Sequence, residues 1–140
     1  MRLPEWSHNL DDLIDGLRDK PFAWGDNDCL SFANQAHIAM TGKPLAPDWT
    51  GEYKTAYGAK RHYVKLLKAQ GFASIEQALD RRLMRLHVKM PPRGSLVGRP
   101  SGNQVTNLAL GVCVGDKVAF IYDEGVLFLQ SQVNDIFWAV

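Results

Sequence analysis

The sequence predicts an α+β fold, with N-terminal helices packed on a C-terminal antiparallel sheet of about five strands. Apolar residues recur at helical spacing up to about residue 86. After Pro91-Pro92 the chain changes to short β-type runs separated by turn-forming residues. The 140 residues, 46% of them hydrophobic, contain no linker, repeat or low-complexity tract. We therefore expect a single domain over residues 1–140.

The first two predicted helices span residues 8–19 and 28–41. In the first, apolar residues recur every three or four positions, and Ser7 is placed to cap its start. In the second, Asp28 is the expected N-cap and Gly42 the expected left-handed stop. The second helix carries few charges, so we expect it to be largely buried.

Two more helices are expected at residues 58–70 and 74–86. Gly71 supplies the stop of the third helix. Ser74 followed three residues later by Gln77 is a capping-box pattern, which marks the start of the fourth.

The C-terminal part contains β-type runs whose spacing favours an antiparallel meander. Asp116, the run Asp123-Glu124-Gly125 and the pair Asn134-Asp135 provide the turns between them. The predicted strands are 95–98, 108–114, 118–122, 126–130 and 136–140.

Charge and hydropathy exclude several classes of protein. The formal net charge of +1 argues against a nucleic-acid partner, which normally selects a basic excess. Arg81, Arg82 and Arg85 fall on one predicted helix, where a solvated helix face is the simpler interpretation. No stretch approaches the about 20 apolar residues of a membrane span, and the N-terminus lacks a signal-peptide core. We expect a protein made in the cytoplasm that folds as a soluble chain.

Cys29 is the first candidate for chemistry, because it opens a helix directly after a Gly-Asp-Asn-Asp loop. The unpaired N–H groups of a helix start favour a thiolate and can lower a thiol pKa by a unit or more from about 8.5. A cysteine in this position is a natural nucleophile. The alternative is that Cys29 is a small buried hydrophobe, as free cysteines usually are.

Cys113, the second cysteine, is expected to be a core thiol on a central strand. Its position along that strand argues against a disulfide with Cys29, because the two Cα atoms would have to come within about 7 Å. The chain has no Cys-x-x-Cys or His-x-x-x-His spacing and no glycine-rich phosphate loop. We therefore expect no metal site and no cofactor.

A family resemblance adds to this interpretation. The segment Phe22-Ala23-Trp24-Gly25-Asp26-Asn27-Asp28-Cys29 resembles the signature of NlpC-type cell-wall endopeptidases, in which Asp-Cys begins a helix. Arg93-Gly94-Ser95-Leu96-Val97 resembles the strand entry of that family, with Ser95 where Asp is usual. The resemblance implies a papain-like fold, with Cys29 at the nucleophile position and Asp28 as the helix cap.

The departure from the family concerns the catalytic base. The run Ala109-Leu110-Gly111-Val112 resembles the strand that supplies the histidine, and it places Ala109 at that position. All four histidines precede the predicted sheet: His8, His37, His62 and His87. General-base assistance is typically worth about 10²–10⁴-fold in rate, so its loss makes a dedicated hydrolase improbable.

A closer resemblance is to small NlpC-like proteins encoded in the tail modules of long-tailed bacteriophages and gene transfer agents, which typically lack the histidine. The shared pattern spans the chain: Pro21-Phe22-Ala23-Trp24-Gly25, Asp28-Cys29, Thr41-Gly42, Trp49-Thr50-Gly51-Glu52-Tyr53, Gly58-Ala59, Ala109-Leu110-Gly111-Val112 and Trp138-Ala139-Val140. The resemblance implies a virion component of the tail tip or baseplate hub, with other tail-tip proteins and peptidoglycan as its expected partners.

Three functions follow as hypotheses. The first is a structural tail-tip component with a degenerate cysteine-peptidase fold, which is not an enzyme. The second is an active peptidoglycan endopeptidase that uses Cys29 with His62 or His8 as an unusual base. The third is a module that binds peptidoglycan peptides without cutting them. Trp24, Trp49, Tyr53 and Ala109 are the candidate cleft residues, and Tyr57 is a further aromatic near the groove. The alternative for the aromatic residues is a role in packing, which is the more frequent one.

Overall fold

The computed structural model describes residues 1–49, 52–101 and 107–140. Four α-helices precede six β-strands, which confirms the predicted α+β order. The helices are α1 (Trp6–Leu17), α2 (Cys29–Thr41), α3 (Ala56–Gln70) and α4 (Ile75–Arg82), with a short 3₁₀ helix at Pro47–Trp49. The strands are β1 (Met84–Leu86), β2 (Leu96–Pro100), β3 (Leu108–Cys113), β4 (Val118–Tyr122), β5 (Gly125–Leu129) and β6 (Ile136–Ala139).

The ends of α2 agree with the expectation from sequence. Asp28 is the N-cap, and its side chain accepts a hydrogen bond from the backbone N–H of Ser31. The Ser31 hydroxyl in turn accepts from the Asp28 N–H, which completes a reciprocal capping box. Gly42 ends the helix in the left-handed conformation at φ 79°.

The other helix boundaries differ from the prediction by a few residues. α1 begins at Trp6, because the Ser7 hydroxyl accepts a bond from Arg93 Nε at 3.0 Å instead of capping the helix. α3 begins at Ala56 after an unforeseen N-cap, Thr55, and ends at Gly71 as predicted. α4 begins after Ser74, whose side chain accepts from Gln77 N–H, but Gln77 Oε1 accepts from Ala73 N–H, so the capping box is incomplete.

The fourth helix is shorter than predicted, because the chain becomes a strand at Met84. α4 ends at Arg82, and β1 then pairs antiparallel with β6 through Arg85↔Trp138. This sixth strand escaped the sequence analysis. It has three residues, and its pairing partner lies more than 50 residues away in the chain.

The sheet has the strand order β1-β6-β2-β3-β4-β5, and every pairing is antiparallel. Strands β2 to β5 form the predicted meander. The last strand departs from it: β6 returns across the sheet and inserts between β1 and β2. The edge strands of the sheet are therefore β1 and β5.

The main core lies between the helices and one face of the sheet. Leu110 and Val112 of β3 are fully buried there on the side of α2, and the fully buried Trp138 of β6 donates from its ring nitrogen to Asp80 of α4. The opposite face carries a second cluster in which Val97, Phe120 and Phe137 pack together. The guanidinium of Arg99 lies 4.9 Å from the centroid of the Phe120 ring and pairs with Asp135. Because the strand period is two, successive residues of β3 enter different clusters.

Two sequence expectations concern this framework. Cys113 is buried in the second cluster, and both cysteines are free thiols, as predicted. Of the helices within the described ranges, none combines the length and apolarity needed to cross a membrane.

Candidate functional site

The loop before α2 is held by the side chain of a buried asparagine. Asn27 is fully buried, and its Nδ2 donates to the carbonyls of Lys20 at 3.1 Å and Pro21 at 3.0 Å. Its backbone N–H and carbonyl both bond to Ala23. This closed turn fixes the orientation of Asp28 and Cys29 at the start of α2.

Asp28 is the polar centre of the site. It is 1% exposed, and one carboxylate oxygen accepts the cap bond from Ser31. The other oxygen, Oδ2, accepts from Gly25 N–H at 3.0 Å and from the Tyr53 hydroxyl at 2.7 Å. A buried carboxylate with three donors is well satisfied. All three bonds serve to hold the structure.

A chain of buried hydroxyls continues from Asp28 into the helical layer. The Tyr53 hydroxyl donates to Asp28 and therefore accepts from the Tyr63 hydroxyl, whose single proton is shared between Tyr53 and the carbonyl of Trp49. Burial raises the pKa of both tyrosines above the ordinary value, and the neighbouring Asp28 charge adds to the increase. Both phenols therefore remain protonated donors at neutral pH.

The Cys29 thiol behaves differently from the expectation based on the helix start. Burial raises its pKa to about 11, although backbone hydrogen bonds from Leu110 and from the first turn act in the opposite direction. The Asp28 carboxylate raises it further through charge repulsion. The expected lowering by the helix end is thus wrong in net effect: the residue is half-buried, and desolvation of the thiolate outweighs the helix N–H groups.

The four histidines, all in described segments, have other neighbours. His8 pairs with Asp12 at 3.3 Å on the exposed side of α1, and His37 Nδ1 bonds to the carbonyl of Lys43. His87 is exposed after β1. His62 comes nearest to the site: its Nε2 bonds to the carbonyl of Asp48, and its ring packs on those of Tyr53 and Tyr63.

The aromatic residues expected in a cleft are mostly part of the core. Trp49 is 2% exposed and stacks beneath the Arg82 guanidinium, while Tyr53 is 5% exposed and belongs to the hydroxyl chain. These two side chains therefore pack and form hydrogen bonds in the interior, and they do not line an open cleft. Trp24 is half-buried in edge contact with Phe22, and Tyr57 projects from α3 with 71% of its surface exposed.

Ala109 also lies elsewhere than the resemblance suggests. Its side chain packs with the second cluster, on the sheet face away from the main core. Cys29 packs against the main core, where β3 contributes Leu108, Leu110 and Val112. The β3 group that reaches the thiol is the backbone of Leu110. The structure thus brings Asp28, Cys29 and Tyr53 together and leaves Ala109 on the other side of the strand.

The sequence analysis missed two residues of the site. Tyr63 lies on the buried stripe of α3 with Ala59 and Leu67, and a tyrosine on a buried stripe requires a hydroxyl partner, which is a readable signal. Asn27 gave no signal beyond turn propensity, because its bonds to the Lys20 and Pro21 carbonyls depend on the closed loop.

The arrangement can hold a neutral thiol in place, but it offers little for nucleophilic catalysis. Burial raises the pKa of the Cys29 thiol to about 11, so the protonated form predominates at neutral pH, whereas the thiolate is the reactive form. Across the described ranges, no group of three or more His, Cys, Asp or Glu side chains is placed to bind a metal ion.

Comparison with known proteins gives one match. The family described as a domain of unknown function, DUF6950, matches residues 1–140. No curated protein and no solved structure matches the chain.

Proposed function

The chain belongs to the DUF6950 family, and for it we propose a structural, non-catalytic role in a bacteriophage tail tip or baseplate hub. In this proposal the protein is a degenerate NlpC-like domain that assembles with other tail-tip proteins in the virion. The tail-tip location rests on the motif pattern that extends from Pro21 to Val140. The non-catalytic role rests on the geometry around Cys29.

The observation that carries the non-catalytic role is the packing of Cys29 against the main core and the Leu110 backbone, while His8, His37 and His62 bond to other groups. A cysteine peptidase needs a thiolate, which a neighbouring imidazole usually generates. Here burial and the Asp28 charge raise the Cys29 pKa to about 11, and the described neighbours that lower it are backbone groups. The nucleophile position is kept, but the groups that would activate it are replaced by a backbone contact from β3.

The carboxylate beside the thiol supports the same proposal. An orienting carboxylate in a catalytic site holds the base, whereas Asp28 bonds to Gly25, Ser31 and Tyr53. These bonds hold the preceding loop and the segment before α3 at the start of α2. The residues of the former site thus act as a structural cluster.

Two alternatives make different predictions in the same experiment. An active peptidoglycan endopeptidase would need Cys29 for entry into the host and not for assembly. A peptidoglycan-peptide binding module would need neither the thiol nor a place in the assembled tail. Particle assembly and infectivity, measured separately, distinguish these roles.

The test uses the tail-module genes with three alleles of this chain: a deletion, Cys29→Ala and the near-isosteric Cys29→Ser. We expect the protein in purified tails, no complete tails from the deletion, and normal assembly and titre from both substitutions. Particles that assemble normally with Cys29→Ala but fail to infect would establish the peptidase instead. Tails that lack the protein, and form equally well without it, would overturn the structural role.

A further inference from the structure

The outer surface of α3 carries a concentration of positive charge. The helix contains no Asp or Glu, and its exposed side includes four cations together with two exposed apolar side chains, Tyr57 at 71% and Val64 at 55%. We call these six residues the basic face: Tyr57, Lys60, Arg61, Val64, Lys65 and Lys68.

The cations of the basic face have no acidic partner in the part of the chain that the structure describes. None of the four forms an ion pair there; Arg61 lies 5.8 Å from the centroid of the Tyr57 ring. Unpaired cations around an exposed aromatic ring are suited to an occupant that offers carboxylates around an apolar recess.

The protein itself has such a recess. A groove of about 450 Å³ lies between the end of α1 and the β4–β5 hairpin. Its walls include three exposed acids and two exposed apolar side chains, which we call the acidic groove: Asp19, Tyr122, Asp123, Glu124 and Leu127. Arg18 also lines the groove, but its guanidinium is paired with Asp15 at 2.9 Å. Within the described ranges none of the three acids forms an ion pair.

The basic face and the acidic groove are on different elements and share no residue. The acidic groove borders β5, the strand at one edge, where Val126 N–H bonds to the Arg18 carbonyl. The basic face is on α3, which is joined to α4 by the Gln70–Arg82 bond, and α4 packs on β1 at the other edge. One copy can therefore use both surfaces at the same time, each with a different neighbour.

We propose that the protein associates with further copies of itself head to tail, with the basic face of one copy docked in the acidic groove of the next. Tyr57 enters the groove between Tyr122 and Leu127, and its flanking cations meet Asp19, Asp123 and Glu124. A contact between two different surfaces is heterologous, so it produces a ring if the rotation closes and an open chain otherwise. The inference is independent of Cys29 and of the tail-tip proposal.

The proposed contact has a characteristic dependence on salt. All the charges involved are exposed, so their attraction is screened as the Debye length falls from about 10 Å at 0.1 M to about 3 Å at 1 M. We expect concentration-dependent growth in mass at low ionic strength and loss of that growth at high ionic strength.

The test measures mass by sedimentation for two charge-reversed variants, alone and mixed. The first carries Lys60→Glu, Arg61→Glu and Lys65→Glu; the second carries Asp19→Lys, Asp123→Lys and Glu124→Lys. We expect each variant alone to remain monomeric at concentrations where the wild type associates. Mixed, they regain association, because each retains the native surface that the other has lost.

The matched control reverses three exposed charges away from both surfaces: Lys43→Glu, Arg81→Glu and Lys89→Glu. It changes the net charge as much as the first variant does, and we expect it to associate like the wild type. Three results would overturn the proposal: a wild type that stays monomeric at every concentration and salt, a control that loses association equally, or a mixture that stays monomeric. Binding of duplex DNA or anionic vesicles by a monomeric wild type would assign the basic face to a polyanion instead.

Discussion

Asp28 has two structural roles at once. It caps α2 through Ser31, and it anchors the buried hydroxyls of Tyr53 and Tyr63 to the same point. The cap was readable in the sequence, because Asp before a helical apolar pattern is a local signal. The hydroxyl chain was not, because Tyr53 and Tyr63 reach Asp28 only through the tertiary packing of α3. The bond between Asp28 and the Tyr53 hydroxyl was therefore seen only in the folded structure.

Removing the Tyr53 hydroxyl tests the value of this chain. Tyr53→Phe removes one of the three donors to the buried Asp28 carboxylate and the hydroxyl that bonds to Tyr63, so we expect a loss of about 1–3 kcal/mol in the free energy of unfolding. The matched control is Tyr57→Phe, whose hydroxyl belongs to an exposed side chain and whose effect we expect within about 0.5 kcal/mol. Chemical denaturation measures both free energies of unfolding. Equal small losses for the two variants would show that the buried hydroxyl chain does not stabilise the fold.

The Cys29 thiol makes stability depend on pH in a defined direction. Its folded-state pKa of about 11 is above that of an unfolded thiol, about 8.5, so the neutral form is favoured by folding. The stabilisation is complete below pH about 8.5 and is lost as the pH rises to about 11. Tyr53 and Tyr63 titrate in both proteins, and in the wild type the charge of the Cys29 thiolate raises their pKa further, which acts in the same direction.

We therefore expect the unfolding free energy of the wild type to fall more steeply than that of Cys29→Ala between pH about 8.5 and 11. Denaturation at several pH values in this window measures the difference. Parallel profiles for the two proteins would mean that the thiol has an ordinary pKa and that the site is more solvated than the structure indicates.

At the scale of the elements, the glycine stops of α2 and α3 and the β2–β5 meander were predictable, whereas the pairing of β1 with β6 was not. Gly42 and Gly71 end their helices in the left-handed conformation, which glycine adopts without steric cost. Such signals involve a few adjacent residues. β1, in contrast, depends on the pairing of Arg85 with Trp138. Its three residues follow the arginine-rich end of α4, so the sequence prediction assigned them to the helix. Long-range pairing leaves no comparable local pattern.

A pair of glycine substitutions tests these local signals. Gly16 is inside α1 with open space around it, so Gly16→Ala should stabilise the protein by about 0.5–1 kcal/mol. Gly71 also has open space but sits at φ +81°, so Gly71→Ala should destabilise it by about 1–2 kcal/mol. Thermal and chemical denaturation measure both effects. The same sign for the two variants would contradict the assigned helix ends.

At the scale of the whole molecule, the sheet determines which groups face the helix start. A strand residue and its neighbour point to opposite faces, so a shift of one position changes the cluster that a side chain joins. The family resemblance implied that Ala109 lies opposite Cys29, whereas packing places it with Val97 and Phe120 in the second cluster. The fold class was readable from the order of the elements. The face of one residue on β3 was not.

The charge distribution is also a property of the whole molecule. The net charge of +1 conceals a basic α3 and an acidic groove at the β5 edge. The sequence analysis judged charge by the total and by one arginine cluster, whose members lie on α4 and, in the case of Arg85, on β1. It missed the separation, because Asp19 and the β4–β5 turn, which are far apart in the chain, meet only in the folded protein.

Digestion of purified peptidoglycan by the purified protein tests the central claim most directly. Wild type and Cys29→Ala are incubated with the same sacculi at neutral pH, and the soluble peptides released are quantified. We expect no release above the buffer level from either protein, because the Cys29 thiol stays protonated and its described surroundings hold no base. Release by the wild type that Cys29→Ala abolishes would contradict the account and identify a working peptidase.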